Sequence, residues 1–458
     1  MPRILVVVLM AVSAFPVSAG VLSLDEVLQS AETAYPLLLA TIQERAMAEG
    51  KSLSAEGAFD TKLSAKSGSN QFGFYRNREN GAEISQPLQN WGAELFGGYK
   101  RGQGNFGPWE EDVLTLSRGE WSGGLRMSLL RNRETDERRT ELALARLSIE
   151  LADASIDQRR LRVLEAASKS YWDWVSAGHR LSVVEDLLRI ADERHAQVQE
   201  SVAAGQIAAI EIADNQRAVL ERRSAVVAAE RDLQTAQLEL SLFYRDAAGR
   251  PQVADRDMLP EFPEPETISA DQRGADLARA LVLRPEIAGT LVKVRQANAG
   301  LRLARNGLLP EVDVTERYGR DAGVGSITKR GDEFVASLSI TTPFQRRKAK
   351  GESAIQQAKL VQLEQELRFA RNRVLVEVRT ALAALDAALQ RLELARAEMD
   401  VARQLEDAER ERFDLGDSTL FVVNLRELSA AGAGLKVVAA LTDSHKSMAT
   451  YRAAGATW

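Results

Sequence analysis

Two hydrophobic rhythms alternate along the chain. In the first, Leu181, Val184, Leu188, Ala191, His195, Val198 and Val202 recur in steps of three and four. Ile212, Val219, Val226, Leu233 and Leu240 fall on sevens, and Leu420, Val423, Ala430, Val437, Leu441, Met448 and Tyr451 continue the spacing near the end. Such repeats gather apolar side chains into one seam of a helix and predict coiled-coil packing. No proline interrupts 132–204 or 345–415; at the rise of an α-helix each stretch predicts a rod about 105 Å long. The second rhythm has period two. In "FDTKLSAKS" (59–67), Phe59, Leu63 and Ala65 alternate with polar residues, and in "EWSGGLRMSL" (120–129) Trp121, Leu125, Met127 and Leu129 do so. "EVDVTERY" (311–318) and "EFVASLSI" (333–340) repeat the pattern, which predicts strands with one apolar and one polar face.

The chain also repeats itself. Aligning Pro36 with Pro285 brings Leu28 onto Leu277, Thr41 onto Thr290, Ala48 onto Ala297 and Ala55 onto Ala304. Each half reads as a short helix, a proline, an alanine-rich helix (37–57, 286–306), strands, a very long helix, a glycine break and a returning helix. The predicted organisation is a signal peptide at 1–19, a first repeat at 20–250, a proline- and acid-rich linker at 251–270 and a second repeat at 271–458. The returning helices, 206–244 and 417–454, are about half the length of their partners. The alanine-rich helices stacked end to end with them supply the rest, so Gly205 and Gly416 are predicted to be hairpin tips at the end opposite the strands. A glycine there provides the left-handed backbone that ends a helix, and Asp417 or Ser418 is placed to cap the helix that follows.

Composition narrows the setting. Arg3, the apolar run Ile4–Phe15 and Val17-Ser18-Ala19 form a charged, an apolar and a small-residue region, as in a secretory signal cut after Ala19. There are no cysteines, which removes disulfides, thiolate chemistry and a lipid-bearing cysteine at the cleavage site. The net charge of −6 and the lack of a long basic run exclude a nucleic-acid binder. No later apolar stretch is long enough for a membrane helix, so membrane insertion requires a β-barrel. Tyr75, Trp91, Tyr99, Trp109 and Trp121 cluster around the first-half strands, either as an interfacial girdle or as ordinary strand aromatics. Two strands per half are too few to close a barrel, so closure requires several copies of the chain.

No catalytic constellation emerges. His179, His195 and His445 are scattered over helices, and "GVGS" (323–326) precedes no lysine and opens no helix, which excludes a phosphate loop and suits a barrel loop. The sequence predicts a protein that is not an enzyme and binds no cofactor or metal. A periplasmic coiled-coil adaptor or scaffold without a barrel is the alternative; the two hairpins and the strands in both halves argue against it. A peptidoglycan-remodelling enzyme with a coiled coil would need a nucleophile or metal cluster that is not seen.

With its duplicated entry (Tyr35-Pro36, Arg284-Pro285-Glu286), the "GLLPEV" exit into a strand, the strand-to-helix turns "LRMSLLRNR" and "TTPFQRR", and the glycine breaks, the mature chain resembles the TolC family of outer-membrane efflux proteins. The resemblance implies a mainly α fold with a membrane β-barrel: a homotrimer whose coiled-coil hairpins form a tunnel in the periplasm, with about four strands per protomer in a shared twelve-stranded barrel. It implies outer-membrane lipid, a periplasmic membrane-fusion adaptor, and an inner-membrane pump or an ABC exporter of type I secretion as partners. The linker and the C-terminal residues correspond to an equatorial belt. The adaptor-docking tip would be Gly205, Gln206, Ile207, Gly416, Asp417, Ser418, Thr419 and Leu420, and the gate would draw on Glu211, Asp214, Asp417 and Asn424. The family's acidic constriction has no unambiguous match here, and a further hairpin at 82–102 has no fixed place in the family plan.

Overall fold

The computed structural model describes residues 20–458; the expected signal peptide lies outside them. Helix α1 (Leu24–Ala34) begins at a capping box, with the Ser23 side chain accepting from the Glu26 amide and the Glu26 side chain accepting from that of Ser23. It ends at Ala34, and after Tyr35 alone Pro36 opens α2 (Pro36–Glu56). The second half repeats the device with α5 (Ala270–Leu283) and α6 (Pro285–Asn306), Pro285 sitting in the first turn, where its missing N–H costs nothing. The two proline-free stretches form α3 (Glu137–Ala203) and α7 (Arg347–Asp414), and the returning helices are α4 (Ile210–Leu240) and α8 (Leu420–Gly455). No described helix is long and apolar enough to cross a membrane.

The packing forms two compact units. One holds the described residues up to Leu39, Arg159–Leu281 and Val374–Trp458; the other holds Ala40–Gln158 and Val282–Arg373. The first is centred on Trp174, Val175, Ala167, Tyr171, Val27 and Leu240. Its linker is a strap. Phe262 lies beside the stacked Trp172 and His445 rings, whose centroids are 4.0 Å apart, and His179 and His445 contact the carbonyls of Pro260 and Pro263 at 2.8 and 3.1 Å. Arg396 holds Glu264, and Arg452 holds Glu266. Two acids of this linker are thus tied down by arginines from the helices.

In the second unit the strands make one antiparallel sheet in sequence order: β1 (Lys62–Asn70), β2 (Asn77–Pro87), β3 (Ala93–Gly104), β4 (Glu120–Ser128), β5 (Glu311–Asp321) and β6 (Asp332–Thr341). The expectation of about four strands per protomer is therefore corrected to six among the described residues. The further hairpin read at 82–102 belongs to the sheet as β2 and β3, inserted between the two strands expected of the first half. Glycines at 81, 97, 98 and 102 had thinned its alternation. Its tight turn places Trp91 and Gly92 at φ 60° and 58°, with Ala93 N–H donating to the Asn90 carbonyl. Only Gly fits at 92, because a Cβ would lie 2.3 Å from the Asn132 carbonyl oxygen.

Register assigns the faces. Ala65, Ala82, Tyr99 and Trp121 lie opposite one another across four strands, and Leu63, Ile84, Tyr318 and Phe334 follow on the same face. Tyr99, Trp121, Tyr318 and Phe334 form a band towards the loop end, which favours the girdle reading for two of the five aromatics named from sequence. Trp91 marks the other end, while Tyr75 and Trp109 stack edge to face outside the strands. The opposite face carries ion pairs from strand to strand: Lys66–Glu79 at 2.8 Å, Lys100–Glu120 at 2.9 Å and Arg317–Glu333 at 3.3 Å. "GVGS" lies in the loop between β5 and β6, as expected.

Candidate functional site: the two helical turns

Both glycine breaks are hairpin turns with one shared backbone. Gly205 (φ +72°) donates to Val202 and Gln206 to Ser201; Gly416 (φ +83°) donates to Phe413 and Asp417 to Arg412, all at 2.9 Å. These paired bonds satisfy the last carbonyls of α3 and α7 around a left-handed residue, the Schellman arrangement. The helices then resume at Ile210 and Leu420, a few residues later than the sequence suggested. The capping expectation is corrected too. Thr419 is the N-cap of α8 and makes no side-chain cap bond. Asp417 instead pairs with Arg412 at 3.3 Å, and Ser418 donates to Glu409 at 2.5 Å.

Of the predicted gate residues, Glu211, Asp214 and Asn424 line one groove between α4 and α8, with a volume of about 420 Å³; Asp417 is not among its lining residues. Leu420 and Phe421 form its apolar wall, and Phe421 is 75% exposed. Ile207 and Ile210 are exposed near the first turn. Asn215 lines the groove while buried, and its carboxamide has no hydrogen-bond partner.

Sequence reading missed the charged centre below the turns. The Glu427 side chain on α8 is fully buried and receives Arg194 from α3, Arg222 from α4 and Arg410 from α7, with its second bond to Arg194 at 2.7 Å, and Arg222 and Arg410 at 3.4 and 3.2 Å. Arg194 also donates to Asn424 at 2.8 Å. One carboxylate thus ties together four helices from two hairpins. Burial works to raise its pKa, and the bonds and charges of the arginines overcome this and hold it below the usual carboxylate range. Glu406, beside Arg410, is pushed up by burial. The signal was present in the seams. Asn215 and Arg222 continue the 3-4 spacing between Ile212, Val219 and Val226, and Glu427 does so between Val423 and Ala430. A polar residue at a seam position specifies register at a cost in stability.

His195, on its seam, is half-buried and touches Gln199 at 3.1 Å. Among the described residues no group of acids and histidines could hold a metal ion.

Long paired helices with glycine-ended turns, joined to an amphipathic antiparallel sheet, define the fold of the outer-membrane efflux channels. The chain superposes on the CmeC outer membrane channel of Campylobacter jejuni with a TM-score of 0.64 at 14% identity, covering 94% of this chain and 85% of that one. For the outer membrane protein VceC of Vibrio cholerae the TM-score is 0.66 at 14% identity, with 94% and 95% covered. In sequence, residues 277–454 match the family model described as outer membrane efflux protein. A pyoverdine export outer membrane protein, OpmQ of Pseudomonas aeruginosa, is 23% identical over 281 residues, which are 61% of this chain. The match spans only 56% of that relative's length. Residues 277–454 thus carry the sequence pattern of the outer membrane efflux protein family, and the chain as a whole shares the fold of these channels.

Proposed function

We propose that the protein is the outer-membrane channel of a tripartite efflux or type I secretion system, passively conducting cargo from an inner-membrane pump or exporter through a periplasmic adaptor. The supporting observation is the sheet. Its apolar face leaves Leu63, Ile84, Trp121, Phe334, Leu338 and Ile340 at least half exposed, in a chain whose described helices are none of them membrane spans. An apolar face of this extent needs lipid against it, and the charged face needs water. Three protomers close the barrel, and the duplicated halves, 20–250 and 271–458, each supply one helical hairpin. The turns at Gly205–Ile207 and Gly416–Leu420 meet the adaptor through Ile207, Phe421 and their neighbours, and the groove of Glu211, Asp214 and Asn424 lies at the gate. The pyoverdine relative makes a secreted small molecule the first cargo to assay.

Reconstitution into planar bilayers tests the reading: discrete conductance steps are expected, and none under any applied voltage overturns it. Fractionation should recover a heat-resistant oligomer in outer-membrane extracts; a soluble periplasmic monomer would instead match a scaffold. Bulky or charged replacements at Gly205, Gly416 or Thr419 are expected to leave the trimer assembled and abolish export. If they dissociate the trimer, these positions serve structure rather than docking.

A further inference from the structure

Six strands per chain change the barrel. The β2–β3 hairpin is part of the wall. A single rung runs from Lys62 through Ser85, Phe96, Gly124 and Arg317 to Val335, crossing every strand without a step. The face pattern also passes through the hairpin unbroken. Ala82 and Tyr99 continue the apolar face between Ala65 and Trp121, while Glu79 and Lys100 on the polar face bind Lys66 of β1 and Glu120 of β4. The hairpin is thus tied on both flanks by backbone ladders and by ion pairs. What remains open is the outer side of β1 and of β6, strands that are exposed along almost their whole length.

The occupant those edges fit is a second copy of this chain. With an even number of strands, β6 of one copy runs antiparallel to β1 of the next. Parity restricts the register: the apolar face uses the odd positions of β1, such as Leu63 and Ala65, and the even positions of β6, such as Leu338 and Ile340. Setting the helix-side ends flush places Thr341 opposite Lys62 of the next copy, Ile340 opposite Leu63 and Leu338 opposite Ala65. Relative to the straight rung, which reaches β6 at Val335, this is an offset of six residues per copy. Over three copies the shear then equals the strand number, a geometry that tilts strands by about 36° and lies within the usual range for barrels.

We infer that three copies close into one barrel of eighteen strands, β6 of each pairing with β1 of the next, and not into the twelve-stranded barrel that four strands per chain would make. The inference rests on the trimer proposed above. Diameter grows roughly in proportion to strand number, so the wall is about half again as wide as with twelve strands and encloses roughly twice the area. Eighteen strands is the size at which barrels hold an open aqueous channel rather than a packed interior. Glycines at 81, 98, 102, 124 and 319 lie on the charged face and leave that lumen further room.

Electron cryo-microscopy of the full-length protein in lipid nanodiscs decides the matter. A three-fold ring of eighteen strands is the expected result. A three-fold ring of twelve, with residues 77–104 outside the wall, overturns the inference and leaves the trimer standing; particles without three-fold symmetry overturn the trimer as well. The register has its own test, because the chain has no native cysteine. Ser64→Cys combined with Ser339→Cys should oxidise to a covalent trimer on denaturing gels. Ser64→Cys combined with Glu333→Cys, its partner along the straight rung, should remain monomeric on the gel. The reverse outcome overturns the proposed pairing.

Discussion

The turns at Gly205 and Gly416 share a backbone and differ in everything attached to it. Both close on the same pair of bonds at the same lengths. The second is then braced by side chains. Arg412 reaches Asp417, Ser418 bonds Glu409, and Glu409, itself buried, lies 3.9 Å from Arg426 on the returning helix. Among the described residues no side-chain hydrogen bond braces positions 204–210. Duplication has kept the element that only glycine supplies and let the surrounding polar chemistry diverge. This predicts one stiff tip and one loose, with the centre around Glu427 tying the four helices together.

Removing that centre tests the comparison most severely. Glu427→Ala leaves Arg194, Arg222 and Arg410 without their shared carboxylate, and a buried pair broken on one side costs about 3–5 kcal/mol. Chemical denaturation followed by helicity should register this, and a loss near zero would mean the hairpins are held together by their apolar seams alone. Next come the glycines. Gly205→Ala and Gly416→Ala should cost alike, about 1–2 kcal/mol each, since nothing lies within 4 Å of either added methyl and the left-handed backbone is the only penalty. Unequal losses in the same denaturation experiment would break the claim of a common turn.

Acid probes the coupling without mutation. The folded-state pKa of Glu427 lies below its unfolded value, so its stabilisation is complete above about pH 4.3 and drains away as the pH falls through the lowered pKa. Thermal melts should therefore show wild type and Glu427→Gln converging in strongly acid solution and separated at neutrality. Glu406, raised by burial, acts in the opposite sense and partly masks the change in wild type alone, which is why the difference between the two proteins is the quantity to follow. The smallest expected effect is at the brace. Glu409→Ala should cost about 1 kcal/mol and speed amide hydrogen exchange at 416–418 while leaving 205–207 unchanged; equal acceleration at both turns would erase the contrast between stiff and loose.

The helices were legible because their signals are local and redundant: proline at the entry, apolar seams, and glycine at the exit. The turn residues followed from the same signals. The strand count was not. Residues 77–104 pair through backbone ladders, and their glycines and charges blur the alternation by which a strand is read, whereas the pairing of Phe96 with Gly124 is visible only in space. The Glu427 centre escaped for the opposite reason. Its seam position was plain, but a charge there reads as a gap in the pattern until the arginines of three other helices are seen to fill it.

The order of strands in the sheet carries a consequence for how the molecule is made. The first four strands are consecutive hairpins, so they can zip up while the rest of the chain is still arriving. The next partnership, between β4 and β5, joins Ser128 to Asp313 across 185 residues, and it waits until the whole first coiled-coil hairpin has been synthesised and delivered. During that interval β4 is an open edge, and a late arrival of β5 leaves it free to pair with the wrong strand. Within one chain, the β4–β5 seam is therefore the pairing that local hairpin formation cannot secure.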